Sequence, residues 1–238
     1  MLLSEALQIP NGITAVVGGG GKTSLIDALA RELSARGKVL IYTTTHIMRP
    51  REHLTMIEPL PAHIRAAFAQ QQVIVAGMEC ADGRLGAFPP LERHLSSLAD
   101  YVLVEADGAK RLPVKAPAAH EPVLPADTRL VIAVAGLDAL GRRIADAAFR
   151  APLYASLLRK SIDSVITADD IATVLMHPQG QMKNVKCAAA YVLNKADDQQ
   201  RQTAAAVIAA RLDAPAAVTV LAGQPRLISL WRDSKCLF

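Results

Sequence analysis

Short, uninterrupted apolar runs recur along this chain, and between them the apolar positions switch to the spacing of amphipathic helices. The runs predict strands at 13–17, 39–43, 73–76, 101–104, 130–134, 190–193 and 218–221. The intervening pattern predicts helices at 23–36, 62–70, 90–99, 168–176 and 198–212. Strands that are apolar throughout, rather than on alternate residues, are those covered on both faces. The alternation of strand and helix therefore predicts an α/β fold: a mostly parallel, doubly wound sheet with helices on both faces and ligands at the carboxyl ends of its strands. Two stretches break the rhythm. Residues 77–90, rich in glycine and polar side chains, read as a hairpin or flexible loop. Residues 112–125 carry Pro113, Pro117, Pro122 and Pro125, which exclude a regular helix or a central strand. Long irregular connections are uncommon and usually functional.

The first strand runs into Gly18-Gly19-Gly20-Gly21-Lys22-Thr23-Ser24, and a helical pattern led by Leu25, Ile26 and Leu29 follows at once. Strand, glycine-rich turn and a helix opening on Lys-Thr together build a cradle for a polyphosphate. Glycines accept positive φ and let N–H groups approach an anion. The helix start adds unsatisfied N–H groups and the positive end of its dipole. On this reading Gly18, Gly19, Gly20, Gly21, Lys22, Thr23 and Ser24 contact a nucleotide. Lys22 reaches the β/γ phosphates as a catalytic cation, and the Thr23 hydroxyl ligates Mg²⁺. The full pattern G-x-x-x-x-G-K-[ST] wants glycine at position 16, where this chain has Val16. Either Val16 ends the strand and the cradle is a shorter loop from Gly18 to Gly21, or the motif is a degenerate variant. A plain glycine-rich turn with a solvated lysine is the bland alternative, and Lys-Thr at a strand–helix junction argues against it.

The fourth predicted strand runs out into Glu105-Ala106-Asp107-Gly108. In extended backbone, side chains two apart point to the same side. An acid at the end of a strand beside the phosphate loop holds Mg²⁺ in P-loop proteins, and Mg²⁺ needs only one or two carboxylates because it keeps several waters. Glu105 suits that role; Asp107 would share the metal or orient the attacking water, and the Gly108 N–H would approach the γ-phosphate. The sixth strand ends in Asn194-Lys195-Ala196-Asp197, which resembles the N-K-x-D motif of P-loop GTPases. There Asp197 would accept from guanine N1–H and its 2-amino group, a donor pair that adenine lacks. Asn194 would brace the loops, the Lys195 stem would lie over the base, and the Ala222 N–H would meet guanine O6. GTP is thus favoured over ATP. Thr43, Thr44, Thr45 and His46, after the second strand, read equally as a switch segment over the phosphate site or as an ordinary β-branched strand end. Arg49, Lys110, Arg111 and Lys115 are candidates for neutralising transition-state charge, against the commoner role of solvated surface residues.

Composition adds bounds. The 238 residues are 51% hydrophobic and 20% charged, ample for a core and unlike a disordered chain. They suit a single P-loop NTPase-like domain over 1–238, with irregular functional loops near 77–90 and 108–127. The net charge of +4 fits an anionic ligand, but the basic residues are scattered and aromatics make up only 4%, against base-stacking nucleic-acid platforms. Cys80, Cys187 and Cys236 lack paired spacing, no signal segment is apparent near the start, and no apolar run has membrane-spanning length, so the cytoplasm is expected. The six histidines show no zinc spacing, and no G-x-S-x-G or Cys–His nucleophile pair is found.

Taken together, V-V-G-G-G-G-K-T-S, T-T-T-H-I, V-E-A-D-G-A-K, the segment L-P-V-K-A-P-A-A-H-E-P-V-L-P from Leu112 to Pro125, and V-L-N-K-A-D resemble the YqeC family. The proline-rich segment is its most specific element. Members are described as accessory proteins for selenium-dependent molybdenum hydroxylases, with a role proposed in a labile selenium cofactor. The resemblance implies an NTP-binding, NTP-hydrolysing maturation factor whose partner is a molybdenum hydroxylase or its cofactor. It also points to Lys115, His120 and Glu121 as contributors to a second-substrate or partner surface, with a structural role for that segment equally open. A kinase or nucleotidyltransferase acting on a small molecule, and a non-catalytic nucleotide-dependent switch, are the competing functions; a homodimer is compatible with all three.

Overall fold

The computed structural model describes residues 1–50 and 52–238. Its main strands are β1 (Gly12–Gly18), β2 (Val39–Thr43), β3 (Leu54–Ile57), β4 (Val73–Glu79), β5 (Tyr101–Glu105), β6 (Thr128–Gly136), β7 (Ala188–Asn194), β8 (Ala216–Val220) and β9 (Arg226–Arg232). They lie in the order β9-β8-β7-β6-β1-β5-β2-β4-β3, parallel throughout except for the antiparallel β8–β9 pair. The architecture is α/β, a mostly parallel mixed sheet flanked by helices. No helix among the described residues is long and apolar enough to cross a membrane.

Period-two alternation distributes each buried strand between two apolar layers. Along β1, Ala15 and Val17 face one layer and Val16 the other. The helix Lys22–Leu33 buries Leu25, Ile26, Leu29 and Leu33, an i, i+3/i+4 stripe, against Val16, Ile41, Leu103 and Ile132. On the opposite face the helices Ala168–Met176 and Gln199–Ala209 cover Val131, Ala133, Tyr191 and Leu193. Thr167 caps the first of these, its hydroxyl accepting from the Asp170 N–H.

Register fixes what meets at the carboxyl edge. Val16 lies opposite Glu105, Thr43 opposite Glu105, Gly18 opposite Val134, and Asn194 opposite Gly136. The glycine loop, the acidic strand end and the N-K-A-D strand end therefore share one rim of the sheet.

Departures from the sequence reading are local. The helix expected at 62–70 spans Pro61–Ala67, and that expected at 90–99 divides into Pro89–Glu92 and the 3₁₀ turn Leu95–Ser97. Residues 77–90 take the hairpin option, with Met78 opposite Gly86 and Glu79 opposite Leu85. The proline-rich segment contributes only Val114–Lys115, paired with Ala148–Phe149 in a separate two-stranded sheet. The polar-flanked strands β3 and β9 and the helix Ala151–Leu158 were not anticipated, because none carries a continuous apolar run bounded by clear turn signals.

Val16 sits inside β1, fully buried, and the strand runs on to Gly18, so Val16 belongs to the strand but does not end it. Val16→Gly, which completes the consensus pattern, is expected to destabilise the protein by about 2–4 kcal/mol through lost apolar burial and strand entropy. Urea denaturation of the two proteins measures it.

Candidate functional site

A cleft of about 640 Å³ opens at the rim where β1, β2, β5, β6 and β7 end. Leaving β1, the chain turns sharply, with φ of 97° at Gly18 and 78° at Gly20. A Cβ on Gly18 would lie 2.2 Å from the Val134 carbonyl oxygen, and one on Gly20 2.3 Å from the Gly136 nitrogen, so only glycine fits either place. The turn is then tied down on several sides. Gly18 N–H donates to Asp107 Oδ2 at 2.9 Å, Gly19 N–H to the Val134 carbonyl at 2.9 Å, and Gly20 N–H to the Leu112 carbonyl at 3.1 Å. Asn194 Nδ2 donates to the Gly20 carbonyl at 2.8 Å, while Asn194 Oδ1 accepts from Thr219 Oγ1 and Leu221 N–H, each at 3.2 Å. Asn194 thus clamps the loop to β8.

These contacts alter the expected cradle. The amides of Gly18, Gly19 and Gly20 are already used, and Gly18 and Gly19 do not line the cleft. The N–H groups of Gly21, Lys22, Thr23 and Ser24 have no acceptor among the described residues, and all four residues line it. The first turn of the helix Lys22–Leu33, rather than the whole glycine run, presents the free donors.

Lys22 is buried, 5% exposed. Its Nζ donates to the Gly18 carbonyl at 2.8 Å and lies 3.2 Å from Asp107 Oδ1 and 3.6 Å from Glu105 Oε1. Burial alone would lower the lysine's pKa, but the Asp107 and Glu105 charges outweigh it and hold the ammonium above its usual value. Glu105 is pushed up by burial, only partly offset by Lys22 and by the Thr23 hydroxyl, which donates to Glu105 Oε2 at 2.9 Å. Thr43 Oγ1 donates to the Glu105 carbonyl at 3.0 Å, and Thr45 lines the cleft, joining the threonine run to the acidic strand end.

Asp107 departs from its expected place. Expected to share a metal or orient water, it is instead wholly buried and off the cleft. Its Oδ2 holds the Gly18 amide and lies 3.0 Å from Lys115 Nζ; its Oδ1 faces Lys22 outside hydrogen-bonding geometry. Lys115, also buried, donates to the Gly108 carbonyl and to Glu121 Oε2, both at 2.7 Å. Arg150 grips both Glu121 oxygens, and Glu121 and Arg150 line the cleft. Gly108 lines it too, with no acceptor for its N–H among the described residues. His120 is exposed and outside the cleft. Arg150 was not singled out in the sequence, where nothing marks it beyond the Ala-Pro that begins the next helix.

The N-K-A-D residues divide. Lys195 lines the cleft, its Nζ 2.7 Å from Asp138 Oδ2. Asp197 and Ala222 are exposed and do not line it; Asp197 Oδ2 lies 3.1 Å from Arg201 Nη1. Lys110 and Arg111 line the cleft, whereas Arg49 borders an adjoining hollow of about 300 Å³ next to Thr23 and Ser24. Among the described residues, no three His, Cys, Asp or Glu side chains are grouped to hold a metal.

Glu121 carries a pH signature. Burial opposes its ionisation, but hydrogen bonds from Arg150 and Lys115 outweigh that and hold its carboxyl at about 2 against an ordinary 4.5. Because the folded value is the lower, the stabilisation is complete above pH 4.5 and is lost as pH falls through the folded value. Urea midpoints measured from pH 6 down to pH 2.5 should decline more shallowly in Glu121→Gln than in the wild type.

Residues 14–152 match the family described as YqeC protein. A relative from Escherichia coli (strain K12), named "Uncharacterized protein YqeC", is 32% identical over 195 residues, covering 77% of this chain and 75% of its own length. No solved structure matches the chain. With the loop, the acidic strand end and the proline-rich segment to residue 125 all inside the matched span, the chain belongs to the YqeC family.

Proposed function

We propose that the chain is a Mg²⁺-dependent nucleoside triphosphatase with a single P-loop NTPase-like domain, preferring GTP to ATP. The observation that carries this reading is the row of four unpartnered amides at residues 21–24, beside a buried, charged Lys22, in a cleft at the carboxyl rim of a parallel sheet. Unused N–H groups at a helix start, next to an ammonium, suit an anion, and four of them in a row suit a phosphate chain. Phosphoryl transfer draws mainly on positioning and electrostatics, both of which this wall supplies.

Each residue then has a task. The amides of Gly21, Lys22, Thr23 and Ser24 hold phosphate oxygens. Lys22 neutralises their charge, Gly108 N–H donates toward the terminal phosphate, and Asp107 keeps the loop and Lys22 in place from behind. The Thr23 hydroxyl and Glu105 carboxylate, already 2.9 Å apart, form an all-oxygen donor set that suits Mg²⁺. The raised pKa of Glu105 fits as well, since a buried carboxylate that binds protons readily gains from a cation. Bound there, Mg²⁺ would neutralise charge on the phosphates. Lys195 and Asp197 would contact guanine, with Ala222 at its O6, and Arg201 would release Asp197 to the base.

The biological setting we propose, maturation of a selenium- or molybdenum-hydroxylase cofactor in the cytoplasm with the hydroxylase or its cofactor as partner, rests on the motif resemblance alone.

GTP and ATP affinities measured side by side, with and without Mg²⁺, test the reading. GTP should bind more tightly, and only with the metal. Lys22→Ala should lower turnover by about 10²-fold or more. Because that change leaves two buried acids without their cation, Thr23→Ala is the companion variant, expected to lose Mg²⁺-dependent binding while keeping the wild-type melting temperature. Asp197→Asn should bring GTP affinity down to that of ATP. Absence of nucleotide binding by the wild type, or full turnover in both loop variants, would refute the assignment.

A further inference from the structure

We propose that Lys110 and Arg150, set over Phe149, form with Arg111 a second anion subsite in the same cleft. It takes the phosphate or carboxylate of a small second substrate while the triphosphate occupies residues 21–24. The inference rests on the nucleotide reading above and adds the substrate class to it.

Charge pairing sets Lys110 and Arg111 apart, whereas Arg150 is paired with Glu121. Among the other cations of the cleft, Lys22 faces Asp107 and Glu105, Lys195 faces Asp138, and Arg84 faces Asp82. Lys110 and Arg111 have no acidic partner among the described residues. Both line the cleft, and both are exposed. Unpaired neighbouring cations repel one another, so two of them on the wall of one concavity favour an anion beside them.

The backbone beneath them is unusual and firmly anchored. Lys110 and Arg111 hold φ of 47° and 63°, a left-handed conformation rare for residues bearing a side chain. The turn is anchored at both ends: Lys115 Nζ donates to the Gly108 carbonyl, Leu112 N–H to the Ala109 carbonyl at 2.9 Å, and Gly20 N–H to the Leu112 carbonyl. It is therefore fastened directly to the phosphate loop. Phe149 supplies the aromatic floor, with Lys110 Nζ 5.6 Å and Arg150 Cζ 4.5 Å from its ring centre. Arg150 itself stands at φ 60° just before its helix, spending Nη1 and Nη2 contacts on Glu121, while Nε has no acceptor among the described residues.

Space points the same way. About 640 Å³ is the volume of a site for a whole small molecule. Of the residues assigned to the base, Lys195 lines the cleft while Asp197 and Ala222 lie outside it, so the volume leaves room for a second small molecule beside the triphosphate tail.

Calorimetry on the full chain decides the matter. The protein is first saturated with Mg²⁺ and the non-hydrolysable analogue GMPPNP, which fills the cradle through its γ position, then titrated with inorganic phosphate or with malonate. The loaded wild type should bind at least one of them, and Lys110→Ala/Arg111→Ala should weaken that binding about tenfold or more while changing GMPPNP affinity less than threefold. Binding of phosphate alone identifies a phosphate-bearing substrate, and binding of malonate alone a carboxylate. Both altered side chains are exposed, and an unchanged melting temperature confirms the fold. If the loaded wild type binds neither anion, or the double variant binds as well as the wild type, the subsite is refuted. Should GMPPNP itself fail to bind, the nucleotide reading falls instead. The subsite is then judged by whether the double variant still weakens anion binding to the unliganded protein.

Discussion

The carboxylate of Asp107, wholly buried, accepts the amide that starts the glycine loop and stands between two buried lysines. Around it the charges alternate: Glu105, Lys22, Asp107, Lys115, Glu121, Arg150. A charge taken out of water is costly unless paired and hydrogen-bonded, and breaking such a pair costs more than forming it gains. The chain of charges therefore assembles as a unit, and every member is held in place by the next. These contacts restrict the loop after β1 to far fewer conformations than four glycines would otherwise allow.

The same chain ties distant segments together. Glu105 ends β5, Lys22 opens the helix after the loop, Lys115 and Glu121 belong to the proline-rich segment, and Arg150 precedes the helix Ala151–Leu158. Prolines keep residues 112–125 from joining the sheet, and the buried Lys115–Glu121 pair fixes them against it instead. A ligand that drew Lys22 toward itself would leave Asp107 with Lys115 and the Gly18 amide, shifting the balance along the whole row. The loop and the far wall of the cleft are thus joined by electrostatics as well as by the hydrogen bond from Gly20 to Leu112.

Much of the rim was legible from local pattern. The glycine run, Glu105 and Asn194 each follow an apolar run, and a parallel sheet with helical crossovers brings the carboxyl ends of its strands to one side. Their convergence follows from topology that the periodicity already implied. Asp107 shows where the local pattern ran out. Its spacing from Glu105 suggested a shared ligand set, yet the backbone leaves β5 at Glu105 and turns Asp107 in behind the loop.

What the amino-acid sequence by itself determined was the kind of sheet, the helix that begins at Lys22 and the identity of the groups at the rim, because these depend on residues close together along the chain. Which amides stay free, which acid faces the cleft and which is hidden, and the joining of Lys115, Glu121 and Arg150 into one row were decided only by the tertiary structure. Those outcomes depend on burial and on hydrogen bonds between residues tens of positions apart, and no local pattern of side chains encodes who will be desolvated beside whom.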